Sequence, residues 1–335
     1  MTKYPTINYI GNKDKIAEWI CEKIPEGVET VFDAFSGGAS ISYMAKKKGY
    51  SVISNDIMTI NYHIAKALVE NNIEILTQDD LDIIFSGKPT KGFMTKNYAN
   101  RFYFPNECME LDLYAKNIKK LPSDYKKSLA YIILRRAMIR KMPYSRFTIP
   151  WDKIVQLRDE EYSYKMYGRR RAYHNQSFKE HFLKELESYN NAIFKSKKCK
   201  AYNEDIFDII KKVDADLIYI DPPYTGTMND YFRFYGVLDE MIKQENISPF
   251  ENNFMDKKEA LNLFEDLFSQ LEKYKYWMLS YNNSSYPTKE QLLEIFEKYN
   301  RDVKIFEHKH DYKITGKENK TKNIEYLFIA KKRGA

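Results

Sequence analysis

The chain has 335 residues, long enough for one large α/β domain and a second, smaller unit, and its 43% hydrophobic and 15% aromatic content describes a globular protein. No apolar run approaches a membrane span, the opening MTKYPTINYI lacks the apolar core of a signal peptide, and Cys21, Cys108 and Cys199 stand far apart with no CxxC pair. These features argue for the cytoplasm and against a membrane protein, a disulfide framework or a cysteine zinc site, while a formal net charge of +7 favours an anionic partner such as nucleic acid.

In chain order, TVFDAFSGGASIS (30–42) reads as strand, glycine turn and helix start. VFDAF is an apolar strand broken by one acid, Gly37 and Gly38 permit a tight turn, and Ser40 suits an N-cap. SVISNDI (51–57) is the next strand, ending on Asp56 one strand–helix–strand step later. Such a layout lets backbone amides and a helix N-terminus approach a cofactor while an acid on the next strand takes its ribose hydroxyls. An ordinary βαβ unit with a solvated Asp56 fits the same letters. The absence of G-x-G-x-x-G argues against a nicotinamide or flavin site.

After Asp56 the alternation fades. Helical patterns dominate from about 85 to 200, and three basic stretches, LRRAMIRK (134–141), GRRRAY (168–173) and KSKKCK (195–200), fall there among Tyr, Phe and Trp. Cations interleaved with flat rings suit phosphates and unstacked bases. Alternation resumes with a strand near 200, LIYID, a helix over 259–274, strand 277–283, helix 288–299 and strands 303–309 and 324–332. One α/β domain split by an insertion is therefore expected, with catalytic parts at 1–84 and 201–335 around an insertion at 85–200.

LIYIDPPY (217–224) carries the sharpest chemistry. A buried strand stops on Asp221, at the carboxyl end where open α/β sheets bind ligands. Pro222 and Pro223 cannot continue the ladder, so they hold a carboxylate, a free carbonyl and the Tyr224 ring in one rigid arc.

The ordered set NYIGNK (8–13), DAFSGGAS (33–40), NDI (55–57), EDIF (204–207), DPPY (221–224) and LSYNN (279–283) resembles the alpha-class (Dam-like) DNA adenine-N6 methyltransferases of restriction-modification systems. The resemblance covers nearly the whole chain. It implies an α/β fold: a Rossmann-like methyltransferase sheet with helices on both faces, interrupted by a mainly helical target-recognition insertion. It implies S-adenosyl-L-methionine as cofactor and duplex DNA as substrate, and it leaves room for a cognate restriction endonuclease acting separately. No metal or membrane is implied.

By the same resemblance, Tyr9, Gly11 and Lys13 would lie against the methionine part of the cofactor. Asp33, Phe35, Gly37 and Gly38 would form the glycine turn, Asp56 the ribose acid, and Asp205 with Ile206 the segment beside the cofactor's adenine. Asp221, Pro222, Pro223 and Tyr224 would be catalytic, with Asp221 also beside the cofactor. Arg136, Arg140, Lys141, Arg146, Arg169, Arg170 and Arg171 would meet DNA. One departure stands out: the family's second glycine is Ala39 here, so Gly38 is expected to take its role.

The chemistry asks for such residues. The exocyclic amine of adenine is a poor nucleophile, and acceptors for its hydrogens relieve the charge that develops on nitrogen. The base must also leave the duplex. RNA adenine methylation and a non-catalytic nucleic-acid-binding module on the same scaffold are the alternatives. Cytosine N4 methylation fits less well, since that group resembles SPPY. His308 with His310 lacks a third metal ligand, and His174 and His181, read on one amphipathic helix, are expected to be packing or surface residues.

Overall fold

The computed structural model describes residues 2–223, 225, 230–250, 254–309 and 323–334. Tyr224, His310, Asp311 and most of the 311–323 connection lie outside the described residues. The chain divides into two compact units, one of Tyr9–Ile57, Ser196–Asn229 and Phe250–Ala335, the other of Met1–Asn8, Met58–Lys195 and Asp230–Pro249.

The first unit is built on a seven-stranded mixed sheet. Its strands are β1 (Thr30–Asp33), β2 (Ser51–Asn55), β3 (Lys200–Tyr202), β4 (Leu217–Ile220), β5 (Tyr276–Asn282), β6 (Arg301–Lys309) and β7 (Ile324–Lys332). They lie in the order β3-β2-β1-β4-β5-β7-β6. The pairs from β3 to β5 are parallel, and β7 runs antiparallel to both of its neighbours. The central strands are apolar because both faces are covered: all four residues of β4 and all seven of β5 are buried.

Alternation assigns the two faces. Phe32, Ile218, Ile220, Trp277, Leu279 and Phe328 join one apolar cluster with the helices Ile206–Ile209, Ala260–Ser269 and Lys289–Lys298. Asp33 points the other way and accepts a hydrogen bond from Ser42 of helix Ser40–Lys47. From β1 the chain proceeds to β2 and β3 on one side, and from β4 to β5 on the other. The order thus reverses between β1 and β4, which opens a crevice at their carboxyl ends.

The second unit contains no strand among its described residues and is organised around helix Asp124–Lys141. Most of that helix is buried: its middle, LAYIILRRAMI, is apolar except for Arg135 and Arg136, and both of these are buried with it. Helix Phe178–Asn190 pairs with it through Glu185, whose Oε1 meets Arg136 Nε at 3.2 Å and Arg140 Nη1 at 3.0 Å. Glu107, at the first turn of helix Pro105–Ile118, holds Lys141 at 2.8 Å and Arg158 at 2.6 Å. Burial alone would raise the Glu107 carboxyl; the Arg158 and Lys141 cations hold it below its ordinary value.

Among the described residues no helix is long and apolar enough to cross a membrane, and no group of three metal-ligating side chains is found. Cys21, Cys108 and Cys199 are buried and form no disulfide among the described residues.

Candidate active site

The site is assembled at the carboxyl edge of the sheet. The turn after β1 is locked to both neighbouring strands: Ala34 N donates to Tyr219 O at 3.0 Å, and Ser36 N donates to Asn55 O at 2.9 Å. Gly37 N donates to Oδ2 of Asp56 at 2.8 Å. Two residues of the turn are left-handed, Gly37 at φ +49° and Ala39 at φ +59°. Gly38 is not left-handed, so Ala39 itself adopts the conformation for which a glycine would be preferred. Its methyl is fully buried, and the backbone energy it forgoes is of order 1–3 kcal/mol.

Gly37 is required on a second ground. A Cβ there would lie 2.7 Å from Cε1 of Tyr9. The leading motif and the glycine turn therefore touch, as Tyr9 and Gly37, and Gly11 makes the turn of the leading motif with φ +78°.

Asp33 is 1% exposed. Its Oδ2 accepts from Ser42 Oγ at 2.6 Å, and Ser42 in turn accepts from Ser54 Oγ at 2.7 Å. Oδ1 is buried with no hydrogen-bond partner among the described residues. Burial pushes the Asp33 pKa up to about 7; the Ser42 bond opposes this, and the nearby Asp221 and Asp56 carboxylates reinforce it.

Asp221 follows β4 directly. Lys13 donates to its Oδ1 at 2.9 Å and its Oδ2 at 2.8 Å, and the same ammonium lies 3.4 Å from Oε1 of Glu325. Lys13 is 2% exposed and Glu325 is 0% exposed. Tyr219, one pleat before Asp221, donates its hydroxyl to Ser280 Oγ at 2.8 Å, and burial with Asp221 nearby drives that phenol well above its ordinary pKa. Pro222 is buried and Pro223 half-buried. Beyond Tyr224, Thr225 Oγ1 donates to Tyr286 O and accepts from Tyr286 N, both at 3.0 Å, which anchors the exit of the motif to the segment after β5.

Asp205 caps the short helix that follows it, accepting from Phe207 N at 2.8 Å. The segment is nevertheless held beside Asp56, because Asn203 Nδ2 donates to the carbonyls of Asp56 at 2.8 Å and Ile57 at 2.9 Å. Ile206 is buried in the apolar cluster. Phe35 meets Phe254 edge-on at 5.6 Å, and Phe254 stacks on Phe207 at 6.4 Å.

The basic residues of the helical unit fall into two sets. Arg136 and Lys141 are buried and, with Arg140, are engaged in ion pairs within the unit. Arg169 and Arg170 are exposed, and the Arg171 guanidinium lies over the rings of Tyr167 at 4.8 Å and Tyr144 at 5.5 Å. Arg146 is half-exposed. His181 lies in helix Phe178–Asn190, but His174 precedes it in a separate turn. Both are buried, and burial pushes each imidazole down to about 4, which marks neutral packing groups.

Sequence reasoning missed Glu325 and Phe254. Glu325 was detectable in principle, as a lone acid in the apolar run IEYLFIA, the same signal that singled out Asp33 in VFDAF. Phe254 carries no such signal, being one aromatic among many.

Comparison with known proteins identifies the family. The family of D12 class N6 adenine-specific DNA methyltransferases matches residues 9–300. The chain is 58% identical over 332 residues to the Type II methyltransferase M2.HphI of Haemophilus parahaemolyticus, covering 99% of each. It is 24% identical to the Type II methyltransferase M.CviAII of Paramecium bursaria Chlorella virus 1, over 96% of this chain and 98% of that one. Identity to the Type II methyltransferase M.NlaIII of Neisseria lactamica is also 24%, over 97% of this chain and 99% of its relative. An acid-ended strand followed by two prolines, a glycine turn braced by an acid on the next strand, and a match across most of the chain lead to one conclusion: the protein belongs to the D12 class of N6 adenine-specific DNA methyltransferases.

Proposed function

We propose that the crevice between β1 and β4 binds S-adenosyl-L-methionine and that Asp221 serves the methylation of an adenine extruded from duplex DNA. The observation that carries this reading is the convergence of Asp33, the Gly37 turn, Asp56 and Asp221 on one sheet edge. The residues present fit a cationic donor. Asp33 offers a buried carboxylate oxygen with no hydrogen-bond partner among the described residues, close to further carboxylates, so a positive ligand relieves a buried excess of negative charge.

When bound, that cofactor supplies a methyl group on a sulfonium, ready for direct displacement. In this reading Tyr9, Gly11 and Asp33 hold its methionine part, Asp56 its ribose, and Phe35 with the 205–206 segment its adenine. Asp221 and the Pro222 carbonyl accept the two hydrogens of the target amine. That favours the tetrahedral nitrogen, orients its lone pair and holds the proton the amine gives up as the new N–C bond forms. The two prolines fix the direction of the carbonyl. Tyr224 offers a face on which the extruded base stacks, worth about 1–3 kcal/mol.

The helical unit, which contains nearly all of residues 85–200, is read as the target-recognition part, with Arg146 and Arg169 to Arg171 toward phosphates and base edges. A full-length match to Type II methyltransferases supports a role in modification, protecting host DNA against a separately acting endonuclease.

The test is to incubate the protein with methyl-labelled S-adenosylmethionine and either duplex DNA or RNA, digest to nucleosides and identify the labelled product. N6-methyldeoxyadenosine from DNA is expected. Label only in RNA would turn the helical unit into an RNA-binding part, and no label with intact cofactor binding would leave a non-catalytic module.

A further inference from the structure

We infer that Glu325 is a positioning residue for methyl transfer, holding the Lys13 ammonium so that Asp221 is left able to accept the hydrogens of the target amine. The inference rests on the role proposed above for Asp221.

Three charged groups, each at least 85% buried by side chain, form a connected set in which Lys13 bridges Asp221 and Glu325. The Lys13 ammonium lies 2.8 Å and 2.9 Å from the two Asp221 oxygens and 3.4 Å from Oε1 of Glu325. Both Asp221 oxygens thus already accept from one cation, whose charge weakens them as acceptors, whereas the proposed chemistry asks this carboxylate to accept from an incoming amine as well. An ammonium bound to Asp221 alone would compete with the substrate, and drawing it away would strand a buried cation at a cost of several kcal/mol. Glu325 removes that conflict. The three N–H donors of Lys13 have a second anion within reach, so the cation can lean toward Glu325 as the amine engages Asp221, with no charge left bare.

The topology explains why a residue so late in the chain reaches the site. Asn282, at the carboxyl end of β5, pairs with Glu325 in the antiparallel β5–β7 ladder. Had β7 been parallel, its first residues would sit at the opposite edge. Insertion of one antiparallel strand beside β5 brings a strand start, and with it Glu325, to the edge where β4 delivers Asp221. The anchor is reinforced by Asn283 N donating to Ile324 O at 3.0 Å and Ile324 N donating to Asn283 Oδ1 at 3.1 Å. A carboxylate in the apolar run of β7 has a large desolvation cost, and its pairing with Lys13 beside Asp221 offsets part of that cost.

The test uses the full chain, enzyme in excess over sites on unmodified plasmid DNA, saturating S-adenosylmethionine, and equilibrium binding of the cofactor alone. Glu325→Gln keeps the shape and removes the charge; Glu325→Asp keeps the charge and shortens the reach. We expect Glu325→Gln to slow the single-turnover rate by about ten- to a hundredfold with cofactor affinity close to wild type, and Glu325→Asp to recover part of that loss. In a Lys13→Gln background, removing the Glu325 charge should have little further effect, since the two act as one pair. A wild-type rate for Glu325→Gln overturns the inference. So does a rate loss matched by an equal loss of cofactor affinity, which would make Glu325 a binding residue, or a ranking in which Asp is worse than Gln, which would mark shape alone. Failure of the underlying reading is separable: Asp221→Asn at wild-type rate removes Asp221 from the chemistry whatever Glu325 does.

Discussion

The amide of Gly37 donates to Oδ2 of Asp56 at 2.8 Å, so the turn after β1 and the acid that ends β2 form one braced piece. The same glycine is left-handed and faces the Tyr9 ring at a distance no side chain would tolerate. Gly37→Ala is therefore expected to cost about 1–2 kcal/mol in the turn and to displace the Tyr9 ring. Cofactor affinity should fall about tenfold, measured by calorimetry on the folded variant. Unchanged affinity would detach the turn from the cofactor site.

Asp221→Ala removes the acceptor proposed for the target amine while leaving Lys13 a partner in Glu325. Methyl transfer should fall by at least about a hundredfold, with cofactor binding close to wild type. Loss of cofactor binding instead would assign Asp221 to the cofactor.

Asp33 gives a pH signature. Its folded pKa is about 7, above the ordinary carboxylate value of 3.8, so the folded state holds the proton more tightly than the unfolded one. Its contribution to stability is full below about 4 and is lost as pH rises to about 7. Asp33→Asn should therefore lose that part of the slope, its melting temperature gaining on wild type between those limits, as read by scanning calorimetry without cofactor. Parallel curves would mean that Asp33 is ionised throughout. Cofactor affinity of the wild type should rise across the same window, because an ionised Asp33 attracts a cation.

Replacing Arg169, Arg170 and Arg171 with Gln should weaken DNA binding and flatten the dependence of log affinity on log salt by about one for each phosphate no longer neutralised. Titrations at several salt concentrations measure this directly, and an unaltered slope removes the run from the interface.

Lys141 should behave in the opposite way. It is 1% exposed and paired with Glu107, so Lys141→Met is expected to lower stability by about 1.5–3 kcal/mol, Glu107 retaining Arg158. Its effect on the salt slope should be small. Denaturant unfolding separates the two outcomes.

Much of this site was legible because its signals are local. Apolar runs ending on an acid gave β1, β2 and β4 with Asp33, Asp56 and Asp221, and the glycine turn follows from two adjacent glycines. The strand registers, the Lys13–Asp221 ion pair and the arrival of Glu325 depend on pairings between residues far apart in sequence, which no local pattern encodes. Ala39 illustrates a different limit. Gly38 was expected to take the role of the family's second glycine, yet it is Ala39 that adopts the left-handed conformation in the turn. The basic helix was misleading for a third reason: Arg and Lys read as a surface until Glu107 and Glu185, distant in sequence, arrive to bury them.

The placement of β7 bears on how the protein is made. Among the described residues it follows every other strand in the chain, yet it lies between β5 and β6 rather than at a border of the sheet. During synthesis the facing edges of β5 and β6 thus stay unpaired, each a template for pairing with another chain, until this strand emerges and slots between them. A ribosome stalled or a message cut before residue 324 would leave a product that lacks Glu325 and is prone to aggregate, so the Lys13–Glu325 ion pair and the joining of β5 to β6 arise in the same event.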